Sequence, residues 1–152
     1  DTGDGMKKEV LISIKGTQLV DGEKDQVELL TTGSYYRRGG HYYIAYDESE
    51  VTGFEGSHTV LKVEEDKRVT MLRSGSVQSH LIVENGVRHQ CNYQVGGHSL
   101  IIGVSGDSIV SSLTDQGGSL AFKYSLDINT TLTSENEIRI QVTECGTTPE
   151  PV

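Results

Sequence analysis

Residues 77–128, VQSHLIVENGVRHQCNYQVGGHSLIIGVSGDSIVSSLTDQGGSLAFKYSLDI, decide the fold. Apolar side chains recur at every second position, most cleanly at Leu120, Phe122, Tyr124, Leu126 and Ile128. That period sets one face of an extended chain against a core and leaves the other to solvent, whereas a helix would space them by three or four. Glycine-containing steps interrupt the run at short intervals and read as hairpin turns. A Gly96-Gly97 turn sets Tyr93 opposite Leu100 and Cys91 opposite Ile102. Turns at Gly106-Asp107 and Gln116-Gly117 set Val104 opposite Ile109 and Leu113 opposite Leu120. Each register lays apolar face on apolar face, as a one-sided sheet requires.

The turn near Asn85 has two solutions. A two-residue Asn85-Gly86 turn pairs His80 with Cys91 and gathers His80, Cys91 and His89 on one face, a set competent for zinc. A three-residue loop, Glu84 to Gly86, pairs Val83 with Val87 and Leu81 with His89, and turns His80 outward. The second keeps the apolar residues together, and their burial outweighs the preference of one turn. No metal site is expected, and no cofactor.

Working outward, Val10, Ile12 and Ile14 alternate in a first strand, and Asp21-Gly22 marks a turn. A second strand carries Val27, Leu29, Gly33 and Tyr35 in phase. A Gly39-Gly40 hairpin then pairs Tyr35 with Ile44 and Gly33 with Tyr46. Asp47 to His58 is a polar connection without clear period. Beyond it, 59–64 and 69–74 form a hairpin turning at Glu65-Asp66-Lys67, with Arg73 opposite Thr59. Ile138, Ile140 and Val142 supply a last strand. Some ten or eleven short antiparallel strands leave two packed sheets or a curled sheet as solutions. Closure is expected, because a meander with short turns curls with its own twist and so loses its exposed edges. The expectation is an all-β, calycin-like (lipocalin-like) barrel of roughly 8–11 strands.

The bulk numbers agree. The 152 residues suit a single domain, with a vector-derived scar and N-terminal residue at 1–6, the barrel at 7–143 and a polar tail at 144–152. Hydrophobic content of 34% is low, as one wet face per strand explains. A net charge of −9 repels phosphate backbones, so nucleic acid is not an expected partner. No apolar run approaches the roughly 20 residues that cross a bilayer as a helix. Two cysteines are too few for a disulfide framework, and a cytoplasmic address follows.

Arg73 is the anomaly, because its guanidinium falls on the inward phase of Val69 and Met71. Such a group cannot shed its proton and needs a carboxylate or an anionic ligand. Glu48, Glu50 and Glu55 in the preceding connection are the internal candidates. Tyr35, Tyr42, Tyr46, Tyr93 and Tyr124 also fall on inward positions, as does His89. Buried phenols want partners, so they either bond within a filled core or line a cavity.

Several spacings resemble the YwiB-like family of uncharacterised bacterial proteins. They are Y-x-E-x4-G-x2-G-x2-T from Tyr46 to Thr59, R-x-G at Arg73 and Gly75, E-x-G-x2-H-x3-Y from Glu84 to Tyr93, and G-G-x5-Y-x-L-x2-N from Gly117 to Asn129. The resemblance implies a calycin-like barrel in a bacterial cytoplasm with a possible ligand cavity, and it supplies no reaction.

The leading expectation is a non-enzymatic module that binds a small anionic or amphipathic ligand. Arg73 would anchor it, Tyr35, Tyr46, Tyr93, Tyr124, Glu48 and His89 would line the site, and the Asp47–His58 connection would cover it. One alternative is a structural or interaction protein with a side-chain-filled barrel and Arg73 in an internal ion pair. Another is an enzyme using Arg73 and His89 as electrostatic anchor and acid/base. A homodimer through an edge strand is also open.

Overall fold

The computed structural model describes residues 6–145, so most of the segments expected as a scar (1–6) and a polar tail (144–152) lies outside the described residues. Ten strands follow one another: β1 (Lys7–Val20), β2 (Glu23–Arg38), β3 (His41–Asp47), β4 (Ser57–Glu64), β5 (Arg68–Gly75), β6 (Val77–Glu84), β7 (Arg88–Val95), β8 (His98–Ser111), β9 (Gly117–Ile128) and β10 (Thr131–Glu144). Each is hydrogen-bonded antiparallel to its sequence neighbour, and β10 returns to β1 to close the barrel. Closure gives every strand a partner on both sides, although residues 23–32 of β2 are paired with β1 alone because the ladder to β3 covers only Gly33 to Arg38.

Alternation is the physical basis of the wall. Buried and exposed positions trade places along β4, β5 and β6, with Leu61, Val63, Val69, Met71, Leu81 and Val83 inside. The registers expected at Gly39-Gly40 and Gly96-Gly97 are the observed ones: Tyr35 faces Ile44, and Cys91 faces Ile102. The three-residue loop after Glu64 also forms, and Arg73 faces Thr59.

Three turns differ from the expectation. Gly106-Asp107 is no hairpin; β8 runs straight through it with a bulge between Gly106 and Ser108. The β6–β7 turn crosses the wall there. Gly86 N donates to Gly106 O at 3.0 Å, and Gly106 N donates to Val87 O at 3.1 Å. A Cβ on residue 106 would meet Glu84 O at 2.1 Å, so this glycine serves a close backbone approach rather than a turn. The β8–β9 connection turns between Thr114 and Gly117, setting Ser111 rather than Leu113 opposite Leu120. At Asn85 the local pairing is Glu84 with Val87, and a shift along the strands then sets His80 opposite Asn92. His80 is exposed and Cys91 is buried, so the apolar face stays intact although neither proposed register holds throughout. The first and last strands also run further than expected, to Val20 and from Thr131, and β10 continues through Glu144.

One end of the barrel is sealed by the chain itself. The β8–β9 turn lies across it, where the Tyr35 hydroxyl donates to Thr114 O at 2.7 Å and the Tyr42 hydroxyl to Asp115 Oδ1 at 2.6 Å. Arg37 pairs with the same carboxylate, and Lys8 Nζ reaches Asp115 O at 2.7 Å. Behind this plug the half-barrel is filled by side chains such as Val10, Phe122, Leu120 and Val142, all nearly inaccessible. Each such burial contributes about 1.5–3 kcal/mol.

The plug makes one pH prediction. The Tyr42 hydroxyl, and after it the Arg37 guanidinium, hold the Asp115 carboxyl below the usual aspartate range. The folded state thus prefers the ionised form. That contribution is complete above the ordinary aspartate range near pH ~4 and is lost as pH falls below it. Wild type is expected to lose stability more steeply than Asp115→Asn on acidification below about pH 4. Equal acid limbs in urea titrations would show that the carboxylate contributes nothing to closing this end.

Candidate ligand-binding cavity at the open end

Arg73 sits near the opposite end, on the last residues of β5. The β3–β4 connection folds over it because its sequence supplies its own stops. Ser49 caps a single 3-10 turn, Glu50–Thr52, and Gly53 ends it at φ 85°. Phe54 then lays its ring against the guanidinium, with Arg73 Cζ 3.9 Å from the ring centroid. The far side is tied to the β5–β6 link, where Ser76 Oγ donates to Glu55 O at 2.8 Å and Ser76 N to Gly56 O at 3.3 Å. The connection is a fastened strap.

Glu48 is the buried partner that Arg73 requires. Arg73 Nη2 lies 3.3 Å from Glu48 Oε2, with side-chain exposures of 10% and 2%. Thr59 donates to the same Glu48 oxygen and Thr52 to the other, at 2.8 Å, while Arg73 Nε donates to Thr59 Oγ1 at 3.2 Å. The guanidinium is thus charge-compensated before any ligand arrives. Among the internal candidates, Glu48 is the one that pairs. Its signal in the sequence was its place two residues past the last inward tyrosine of β3. Thr52 and Phe54 carried no such signal, because their roles depend on how the strap folds back.

Above this pair opens a cavity of about 410 Å³. Tyr46, Tyr93 and Tyr124 line it together with Leu81, Leu100, Ile102, Leu126 and Ile138. Burial pushes the Tyr124 hydroxyl up to about 12, and burial followed by the nearby Glu48 pushes Tyr46 well above the usual tyrosine range. Both therefore stay protonated donors. Ser79, inward between Arg73 and Tyr93 across the ladder, is 8% exposed, and its Oγ has no partner among the described residues. Depressions of about 560 and 540 Å³ lie along β1, β8, β9 and β10, flanked by Lys15, Lys24 and Lys123.

Two expected site residues lie elsewhere. Tyr35 belongs to the sealed end, stacked on Tyr42 at 5.2 Å. His89 is four residues along β7 from Tyr93, about 13 Å away by strand rise. Its Nε2 lies 2.9 Å from Glu84 Oε1, and this contact, with Arg68 behind it, lowers the Glu84 carboxyl below its usual range. Arg73 and His89 therefore do not flank one substrate. Among the described residues, no three His, Cys, Asp or Glu side chains converge so as to hold a metal ion.

A closed, ten-stranded antiparallel barrel, sealed at one end and hollow at the other, is the class of protein these features define. Residues 12–140 match the family described as domain of unknown function DUF1934, and the chain belongs to that family. It is similar to the uncharacterized beta-barrel protein YwiB of Bacillus subtilis strain 168, at 28% identity over 125 residues, 81% of this chain and 86% of that protein. The crystal structure of the ywiB protein from Bacillus subtilis superposes with a TM-score of 0.82 at 23% identity, covering 93% of this chain and 94% of that one. At that identity the likeness concerns the fold, and the family resemblance carried by the motifs is correct. No helix among the described residues is long and apolar enough to cross a membrane.

Proposed function

We propose that the barrel binds one small amphipathic molecule, its apolar part against Leu81, Ile102 and Leu126 and its polar end among Tyr46, Tyr93 and Tyr124. The observation that carries this is the contrast between the two ends. The chain fills and seals one, yet keeps about 410 Å³ of apolar, tyrosine-studded space at the other, within the range of small-molecule sites. Arg73 and Glu48 act in this reading as a compensated pair that fixes the strap and presents polar groups at the cavity wall. The binding is non-catalytic. A reducing, cytoplasmic setting fits the free thiols of Cys91 and Cys145.

A second reading also has an observation behind it. Because Glu48 already satisfies Arg73, the pair serves a purely structural barrel equally well. Nile red, a neutral dye that brightens in apolar surroundings, separates the two. Saturable binding of one dye per chain is expected, weakened at least about tenfold, or 1.4 kcal/mol, in Leu100→Trp. That position is 46% exposed at the mouth, so the indole occupies the cavity entrance without entering the packed half. Absence of saturable dye binding to wild type would leave the structural reading in place.

A further inference from the structure

We propose that the cavity selects amphiphiles with a cationic head, such as a protonated amine on an apolar body. This rests on the binding reading above and fixes the sign of the ligand's charge, opposite to the anion that Arg73 suggests from sequence alone.

The argument begins with what the cavity has left to offer. Arg73 is the one cationic side chain among the residues lining it. Its charge is compensated at 3.3 Å by Glu48, whose second oxygen is held by Thr52. An incoming carboxylate would have to compete with a buried, hydrogen-bonded carboxylate already in place, or sit beside it as a like charge. Tyr46, Tyr93 and Tyr124 line the wall, and aromatic rings attract an ammonium group most where water is partly excluded.

The surrounding field has the same sign. Asp25 lines the cavity beside the β1–β2 turn that carries Asp21 and Glu23, and the strap brings Asp47, Glu48, Glu50 and Glu55; the basic side chains of the same segments are Lys24, Arg73, paired with Glu48, and His58, set against Asp47. Among the described residues Asp21, Glu23, Asp25, Glu50 and Glu55 have no ion-pair partner. At the sealed end Lys8, Arg37 and Arg68 pair with Glu144, Asp115 and Glu64, while Asp66 of the β4–β5 turn accepts from Ser111 N instead of facing a cation. Acids without an ion-pair partner thus stand at the opening, Asp25 among the residues lining the cavity and Glu50 and Glu55 on the strap. A cleft with low-dielectric walls and a rim of one sign concentrates counter-ions and repels co-ions.

The test displaces Nile red with three eight-carbon probes at neutral pH: octylamine, octanoate and 1-octanol. They share a tail and carry a positive, a negative and no charge. Octylamine is expected to displace the dye at a concentration at least about tenfold below octanoate, with octanol between them. In roughly 1 M salt, where the screening length falls to about 3 Å, the amine's advantage should shrink towards the alcohol. Removing an exposed rim charge about 10 Å away in water-like dielectric is worth about twofold, so Asp25→Asn/Glu50→Gln should weaken octylamine about fourfold and leave octanol unchanged. Equal displacement by all three, preference for octanoate, or no displacement of a dye that does bind would each overturn the charge assignment while the cavity stands. Failure of the dye to bind wild type would remove the binding reading itself.

Discussion

Arg73→Met is expected to lower the melting temperature by about 6–20 °C while the barrel still folds. The substitution leaves Glu48 as a carboxylate with 2% side-chain exposure, held by Thr52 and Thr59 but facing no cation. Breaking a buried pair from one side costs about 3–5 kcal/mol, and in a chain of this size each kcal/mol moves the midpoint by about 2–4 °C. The packing of Phe54 on the guanidinium goes as well. Glu48→Gln should be milder, since an amide keeps the Thr59 contact and Arg73 is the more exposed partner. The double variant should recover much of the Arg73→Met loss, because the remaining groups are neutral. A double-mutant cycle by urea or thermal unfolding measures this, and additive losses would mean that the two side chains are not coupled.

Gly75→Ala is expected to do comparable damage by a different route, releasing the strap. Gly75 has φ 107°, outside the range of L side chains, and an added Cβ would lie 2.3 Å from Gly56 O and 3.0 Å from Ser57 Cα. Both obstacles are backbone, so neither can rotate away. The dihedral alone costs about 1–3 kcal/mol. Relieving the clash must push the Glu55–Ser57 segment off the β5–β6 link, at the expense of the Ser76 contacts. Gly22→Ala is the control, because residue 22 shares a positive φ of 80° but has nothing within 4 Å of an added Cβ. Cleavage by a glutamate-specific protease after Glu50 and Glu55 should accelerate markedly in Gly75→Ala and stay slow in Gly22→Ala. Equal protection in the two variants would show that the strap is seated by something other than this close approach.

Much of the wall was legible because hairpin pairing follows from local rules. The Gly39-Gly40 and Gly96-Gly97 registers emerge from turn chemistry and from the need to keep Tyr35 with Ile44, and Cys91 with Ile102, on one face. The same logic misplaced Gly106, since a glycine that admits another strand's backbone has the same letter as one that turns. It also overread the Asn85 turn, where a shift along β6 and β7 restores the apolar phase after a tight connection. For the site, inward phase correctly placed Arg73, Tyr46, Tyr93 and Tyr124 along the wall. Phase alone carries no position along the barrel axis, and so it could not separate His89 and Tyr35, near the other end, from the residues of the cavity.

The sequence by itself determined an all-β meander, the inward set and a guanidinium demanding a carboxylate, because alternation, turn chemistry and the cost of burying charge act over a few residues. Only the tertiary structure decided that Glu48 meets that demand, that the Thr114–Gly117 turn seals one end, and that acids without an ion-pair partner stand at the open end. Those outcomes depend on which distant segments share an end of the barrel. Closure of β10 on β1 fixes that arrangement, and no local pattern encodes it.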